Sequence, residues 1–101
     1  MKKKLVRDKI PGIMRKEGRR FILRRVEKDE LFKYLLEKLQ EEVKEFISSQ
    51  SMEELADILE VIETICRVRG WSWDQILRIK EAKKVKRGGF EEGYIIEVVE
   101  E

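Results

Sequence analysis

Apolar residues recur at helical spacing through the middle of the chain, and they predict two consecutive helices. The first begins near Asp29 as its N-cap, repeats apolar positions every three or four residues, and ends at residues 48–50. The second begins at Ser51, which forms a capping-box pattern with Glu54, and ends at Gly70. Because the connection between them is short, we expect the two helices to pack as an antiparallel hairpin.

The remaining pattern predicts a third helix and two short strands. The helix begins at Ser72 and ends at Gly88. Residues 20–26 and 93–99 mix aromatic and β-branched side chains with polar ones, which is typical of strands, and their pairing would bring the two ends of the chain together. The sequence therefore predicts a mainly all-α fold in one domain, residues 1–101, consisting of a helical hairpin, a third helix and a small two-stranded β element.

Charge and composition exclude several classes of function. Charged residues make up 44% of the 101 residues, but 23 Lys and Arg against 21 Asp and Glu leave a net charge of only +2. That balance argues against a purely electrostatic nucleic-acid binder. No apolar run reaches the roughly 18 residues of a membrane span, and the basic start lacks a hydrophobic stretch, so we expect a cytoplasmic protein without a membrane partner. One cysteine and no histidine exclude an internal disulfide, a Cys/His zinc site and a Ser-His triad.

Acidic residues occupy unusual positions on the two predicted helices of the hairpin. At 100° per residue, Glu42 lies about 20° from Leu35, inside the apolar stripe of the first helix, and Glu45 lies about 80° away on one flank. Glu54 and Asp57 share a flank of the second helix. A desolvated carboxylate needs a partner or a metal ion, and four carboxylates on adjacent helices can converge. An all-oxygen cluster of this kind suits Mg²⁺ or Mn²⁺.

The same residues also have a purely structural interpretation. In a highly charged chain, a Glu-Glu-x-x-Glu pattern often lies on a solvated helix face, and Glu54 also serves as the capping-box partner of Ser51. Lys38 precedes Glu42 by four residues, a spacing that fits an ordinary ion pair as well as a phosphate contact. The position of Glu42 among leucines is the observation that favours a metal site.

Four segments together resemble one enzyme family. KLQEEVKE at residues 38–45 and ELAD at residues 54–57 resemble the signature of the MazG-like nucleotide pyrophosphohydrolases. KLVRDKIP at residues 4–11 and KVKRGGF at residues 84–90 resemble a short subgroup described as phosphoribosyl-ATP pyrophosphohydrolase-like. The segments follow the expected order over nearly the whole chain. The connection between the two acidic motifs is shorter than in many relatives, which implies a trimmed loop near the site.

The resemblance implies hydrolysis of a nucleoside triphosphate to the monophosphate and pyrophosphate, with a role in clearing non-standard nucleotides. It also implies a bound Mg²⁺, for which Mn²⁺ can substitute, and a set of carboxylate ligands. Those implied ligands are Glu42, Glu45, Glu54 and Asp57.

Further residues receive roles from the same resemblance. The implied catalytic residues are Glu41, Glu42 and Lys38. The helical angle of Glu41, however, points it away from Glu42. Glu41 is equally suited to be a supporting carboxylate that does not itself bind the metal. The implied substrate-binding residues are Lys38, Lys84, Arg87 and Arg7. For the two cations at the end of the third helix, the alternative is that they only complement the helix dipole.

Other functions and partners remain open from the sequence. One alternative within the class is the phosphoribosyl-ATP pyrophosphohydrolase of histidine biosynthesis. An alternative from another class is a basic helical module for nucleic-acid binding or protein interaction, although its acidic face would repel nucleic acid. A small core and a wide apolar arc on the second helix favour a homodimer or homotetramer in which hairpins pair into a four-helix arrangement.

Overall fold

The computed structural model describes residues 3–97 and is mainly helical over that range. Its four helices are α1 (Ile10–Lys16), α2 (Lys28–Ser49), α3 (Met52–Arg69) and α4 (Trp73–Arg87). The chain divides into two compact units, the first ending at Trp71 and the second beginning at Ser72. Among these helices, none has both the length and the apolar character required to cross a membrane.

Helices α2 and α3 form the predicted hairpin in the first unit. Helix α2 ends at Ser49, and Gln50 reverses the chain in the left-handed conformation with a φ of 55°. Ser51 then caps α3 by accepting a hydrogen bond of 3.3 Å from the backbone N–H of Glu54. The two helices pack against each other immediately after this turn, which confirms the hairpin and its capping serine.

The hairpin encloses a small apolar core that also anchors the N-terminal segment. Leu35 of α2 is only 3% exposed and packs with Val61 and Ile65 of α3. Leu5, which precedes α1, packs against the same cluster. This contact fixes the N-terminal segment against the hairpin. The other partly buried side chains around this core are Leu31, Phe32, Leu39 and Val68.

One helix was not predicted from sequence, and the start of another differs from its prediction. The unpredicted helix is α1, in whose first turn Pro11 lies, where its missing N–H costs no helical hydrogen bond. The predicted N-cap at Asp29 is wrong, because Glu27 holds the extended N-cap position and α2 begins at Lys28. Asp29 instead lies in the first turn of α2, where a negative charge favours the helix dipole.

The predicted β element is wrong for the described part of the chain, since residues 3–97 contain no strand. A strand requires a hydrogen-bonded neighbour, and an isolated pair of strands is marginal in water. Residues 20–26 are held instead by side chains, with the Arg15 guanidinium 5.3 Å from the Phe21 ring and Arg24 in a 2.9 Å ion pair with Glu30. In the other segment, residues 94–96 are exposed, and residues 98 and 99 lie outside the described range.

The second unit contains the predicted third helix. Ser72 caps α4 by accepting a hydrogen bond of 3.3 Å from the backbone N–H of Gln75. The helix ends at Gly88, whose φ of 85° lies in a region that side chains other than glycine rarely occupy. Both boundaries confirm the prediction from sequence.

Candidate metal centre

Two helix segments supply the acidic residues of the candidate metal centre. Glu41, Glu42 and Glu45 lie in the second half of α2, and Glu54 and Asp57 lie in the first two turns of α3. Because only two residues separate the helices, the start of α3 lies beside the end of α2. The i, i+3 spacing then places the carboxylates of each helix on a common face.

The carboxylates form two groups that share Glu42. Glu42, Glu54 and Asp57 each offer an oxygen, and these oxygens lie within 4.8 Å of one another across the two helices. Glu41, Glu42 and Glu45 form a second group on α2 by the same measure. The structure thus brings together the four carboxylates that the sequence singled out as metal ligands. It also places Glu41 beside them, despite its predicted orientation away from Glu42.

Burial distinguishes these carboxylates from an ordinary charged helix face. Glu42 is only 6% exposed, as its position in the apolar stripe predicts. The Oε2 atom of Glu54 is fully buried and has no hydrogen-bond partner within residues 3–97. Leaving such an oxygen without a partner is costly. The described residues therefore compensate the burial of this oxygen poorly.

Within residues 3–97, the cationic side chains of Lys4, Arg7 and Lys38 contact the cluster. Lys38 Nζ lies 3.7 Å from carboxylate oxygens of both Glu41 and Glu42, so the ion pair expected from its spacing is present. Lys4 Nζ lies 2.6 Å from Glu41, and Arg7 Nη2 donates a hydrogen bond of 2.6 Å to Asp57 Oδ1.

The contact of Lys4 with Glu41 was not predicted from the sequence. Lys4 was not among the predicted site residues, and the only signal that pointed to it was the family resemblance of residues 4–11. Arg7, which was predicted to bind substrate, contacts the predicted metal ligand Asp57, and its contact with a substrate stays a prediction.

The electrostatics of the cluster favour proton uptake by its inner carboxylates. Burial raises the pKa of Glu42 above the usual 4.5, and the charges of Asp57, Glu45 and Glu54 raise it further, although Lys38 opposes them. The pKa of Glu54 is also raised, first by burial and then by Glu45 and Asp57, although its interaction with the Glu42 carboxyl group opposes them. Both shifts show that negative charge is poorly compensated at the centre.

A cavity of about 710 Å³ lies beside the cluster on the α2 side. This volume falls within the range of roughly 300–1,000 Å³ that is typical of small-molecule sites. Lys38, Glu41 and Glu45 line it together with Lys4 and Tyr34. A ligand in the cavity would therefore contact both cations and carboxylates.

Lys84 and Arg87, the other predicted substrate-binding residues, lie exposed in the last turn of α4, in the second unit. Their contact with a substrate remains a prediction. Comparisons with protein-family models, with curated proteins and with solved structures find no match to this chain.

We expect Glu54→Gln to raise the melting temperature of the metal-free protein at pH 7 and to change it little at pH 4. The pKa of Glu54 is higher in the folded than in the unfolded protein. Its favourable contribution is therefore fully present below about pH 4.5 and is lost as the pH rises through the folded pKa. Thermal unfolding in EDTA, followed by circular dichroism at both pH values, measures the effect.

Glu53→Gln is the matched control, because Glu53 lies in the same first turn of α3 but is exposed. Equal destabilisation by the two substitutions at pH 7 would show that Glu54 acts only through the helix dipole.

Proposed function

We propose that this protein is a Mg²⁺-dependent nucleotide pyrophosphohydrolase that cleaves a nucleoside triphosphate between its α and β phosphates. The observation that carries the proposal is the convergence of Glu42, Glu54 and Asp57 from two helices around a buried, unpartnered carboxylate oxygen. The resemblance of residues 38–45 and 54–57 to the MazG-like signature connects this cluster with the reaction, and it supports clearance of non-standard nucleotides as the role.

The donor set fits magnesium on chemical grounds. All candidate donors are carboxylate oxygens, which Mg²⁺ and Mn²⁺ prefer, whereas zinc favours nitrogen and sulfur. The chain has no histidine, and its one cysteine, Cys66, is buried elsewhere on α3. A cation would also provide a partner for the orphaned Oε2 of Glu54. When bound, Mg²⁺ neutralises phosphate oxygens and polarises a water. The proposed ligands are Glu42, Glu45, Glu54 and Asp57.

Other side chains bind and orient the substrate in this proposal. Lys38 lines the cavity and presents its ammonium group beside Glu42, where it can hold a phosphate oxygen next to the cluster. Glu41 contacts both Lys38 and Lys4, which suits a positioning residue that fixes these cations. We assign Glu41 this supporting role because its two ion pairs occupy the carboxylate.

Adding Mg²⁺ or Mn²⁺ should raise the melting temperature of the metal-free protein, because a ligand that binds only the folded state stabilises it. Glu42→Gln and Asp57→Asn should abolish this rise while leaving the helical circular-dichroism spectrum intact. Differential scanning calorimetry at several metal concentrations measures it. Asp29→Asn, an exposed change in the first turn of α2, is the control and should respond like the parent. Mutants of the cluster that still respond fully would contradict the metal assignment.

Incubation with a panel of nucleoside triphosphates and Mg²⁺ should release pyrophosphate as the first product. Glu42→Gln should lower the rate by roughly a hundredfold or more, since it removes a carboxylate that holds the catalytic cation. Separate assays for pyrophosphate and orthophosphate distinguish α–β cleavage from γ-phosphate release. The panel should include phosphoribosyl-ATP, because preference for it would identify the histidine-pathway reaction. Orthophosphate as the first product would contradict the proposal.

Replacing both Lys84 and Arg87 with glutamine should lower kcat/KM by roughly tenfold to a thousandfold, because charge-assisted phosphate contacts are lost. If the two cations only complement the dipole of α4, the change should cost about 1 kcal/mol or less of stability and leave kcat/KM intact. The matched control replaces Lys83 and Lys86 on the same helix. Equal kinetic effects of the two double variants would argue against specific phosphate contacts.

We also propose that the hairpin assembles into a homodimer or homotetramer through its uncovered apolar face. Sedimentation equilibrium should detect the assembly at micromolar concentration, and Leu59→Glu should shift it toward the monomer because a charge cannot be buried there without a partner. Ile22→Glu, at a position 89% exposed outside the helices, is the control. A stable wild-type monomer would contradict the assembly. The exposed apolar side chains that define this face are Leu36, Val43 and Ile47 of α2 and Met52, Leu55 and Leu59 of α3.

A further inference from the structure

The segment before α1 contacts both helices of the hairpin through one cationic side chain each. Lys4 Nζ lies 2.6 Å from Glu41 of α2, and Arg7 Nη2 lies 2.6 Å from Asp57 of α3. Between them, Leu5 packs against the apolar core. We refer to residues 4–7 as the strap. Its apolar anchor keeps both cations beside the candidate metal centre.

The strap brings two positive charges to the acidic cluster. Five carboxylates lie in the two groups around Glu42, and Lys38 is the cation that α2 itself provides there. The ammonium of Lys4 is held mainly by its hydrogen bond to Glu41, which raises the pKa of Lys4. The guanidinium of Arg7 neutralises the carboxylate of Asp57. A divalent cation at the cluster would need an oxygen of this carboxylate as a ligand.

We propose that Arg7 is a displaceable counter-ion, which holds Asp57 in the metal-free protein, yields it to a divalent cation, and then binds a phosphate oxygen of the substrate. This inference rests on the proposed function, because it requires both a metal and a phosphate ligand at the cluster. Asp57 Oδ1 already accepts a hydrogen bond from Arg7, so a cation that uses this oxygen must compete with the guanidinium. Once released, the guanidinium remains tethered near the cluster by the Leu5 anchor, and it suits phosphate oxygens geometrically.

Because the Arg7–Asp57 ion pair is exposed, breaking it costs little free energy. The side chains of Arg7 and Asp57 are 58% and 36% exposed, and ion pairs at such exposure contribute little net stability because water solvates both charges. Lys38, in contrast, is only 20% exposed and lies one turn from Glu42 on the same helix. Arg7 can therefore leave Asp57 without disturbing the hairpin, and it differs from the similarly exposed Lys4 in pairing with a proposed metal ligand.

The inference predicts opposite effects of one substitution on two ligands. In Arg7→Gln, Asp57 is no longer engaged, so the Kd for Mn²⁺ alone should fall by roughly two- to fivefold. With Mn²⁺ saturating, the Kd for a non-hydrolysable α,β-methylene triphosphate nucleotide should rise by roughly tenfold or more, because a charged phosphate contact is lost. A merely structural role for Arg7 would move both affinities in the same direction or neither.

The experiment uses the full chain and two binding measurements. Free Mn²⁺ is quantified by electron paramagnetic resonance, and nucleotide binding by isothermal titration calorimetry. Arg24→Gln is the matched control, because Arg24 forms a similarly exposed 2.9 Å pair with Glu30, and neither residue belongs to the cluster. Arg7→Lys keeps the charge but loses the planar guanidinium, so it should retain the wild-type Kd for Mn²⁺ and weaken nucleotide binding less than Arg7→Gln does. Circular dichroism verifies that each variant is folded.

Each outcome separates the inference from the proposed function. Wild-type protein that binds Mn²⁺ no more weakly than Arg7→Gln overturns competition at Asp57 and leaves the proposed function standing. Tighter Mn²⁺ binding with unchanged nucleotide affinity overturns the transfer of Arg7 to phosphate. Absence of Mn²⁺ binding in every variant contradicts the metal centre itself, and the inference is rejected with it.

Discussion

The burial of one carboxylate, Glu42, between two helices constrains the rest of the first unit. A carboxylate that is 6% exposed loses most of its hydration, and its pKa is raised as a result. Moving the charge to the surface would rotate α2 and expose Leu35, which lies at about the same angle two turns earlier. The apolar core and the buried charge therefore require the same orientation of α2, and neighbouring residues have to accommodate both.

The tight turn after α2 brings the other carboxylates to this buried charge. Gln50 and Ser51 are the only residues between the helices, so Glu54 and Asp57 lie at the start of α3, beside the end of α2. The first turns of a helix carry unsatisfied N–H groups and partial positive charge, which favours carboxylates there. The first turns of α3 can therefore hold acidic residues with a smaller electrostatic penalty than the middle of the helix could. A longer connection would remove the constraint that holds the two groups together.

The features that sequence predicted best depend on local rules. The caps at Ser51, Ser72 and Gly88 follow from hydrogen bonds and backbone preferences within a few residues, and the burial of Glu42 follows from helical periodicity. The contact of Arg7 with Asp57 spans 50 residues, and no local pattern encodes it. The predicted strand pair also required a distant partner. Periodicity is insufficient on α3 as well, because its apolar arc is wide and includes Leu55, which is 46% exposed.

The proposed metal centre would have to balance the charge of its carboxylates both without and with the cation. A permanent counter-ion would stabilise the empty site but would compete with the cation for the same oxygens. The structure divides this task between two kinds of cation, since Lys38 is fixed within α2, whereas Arg7 projects from a strap anchored by a single apolar side chain. The fixed cation limits repulsion around the buried carboxylate, and the exposed one neutralises the accessible carboxylate. Because the Arg7 side chain is 58% exposed, water could readily solvate it if a cation took its place at Asp57.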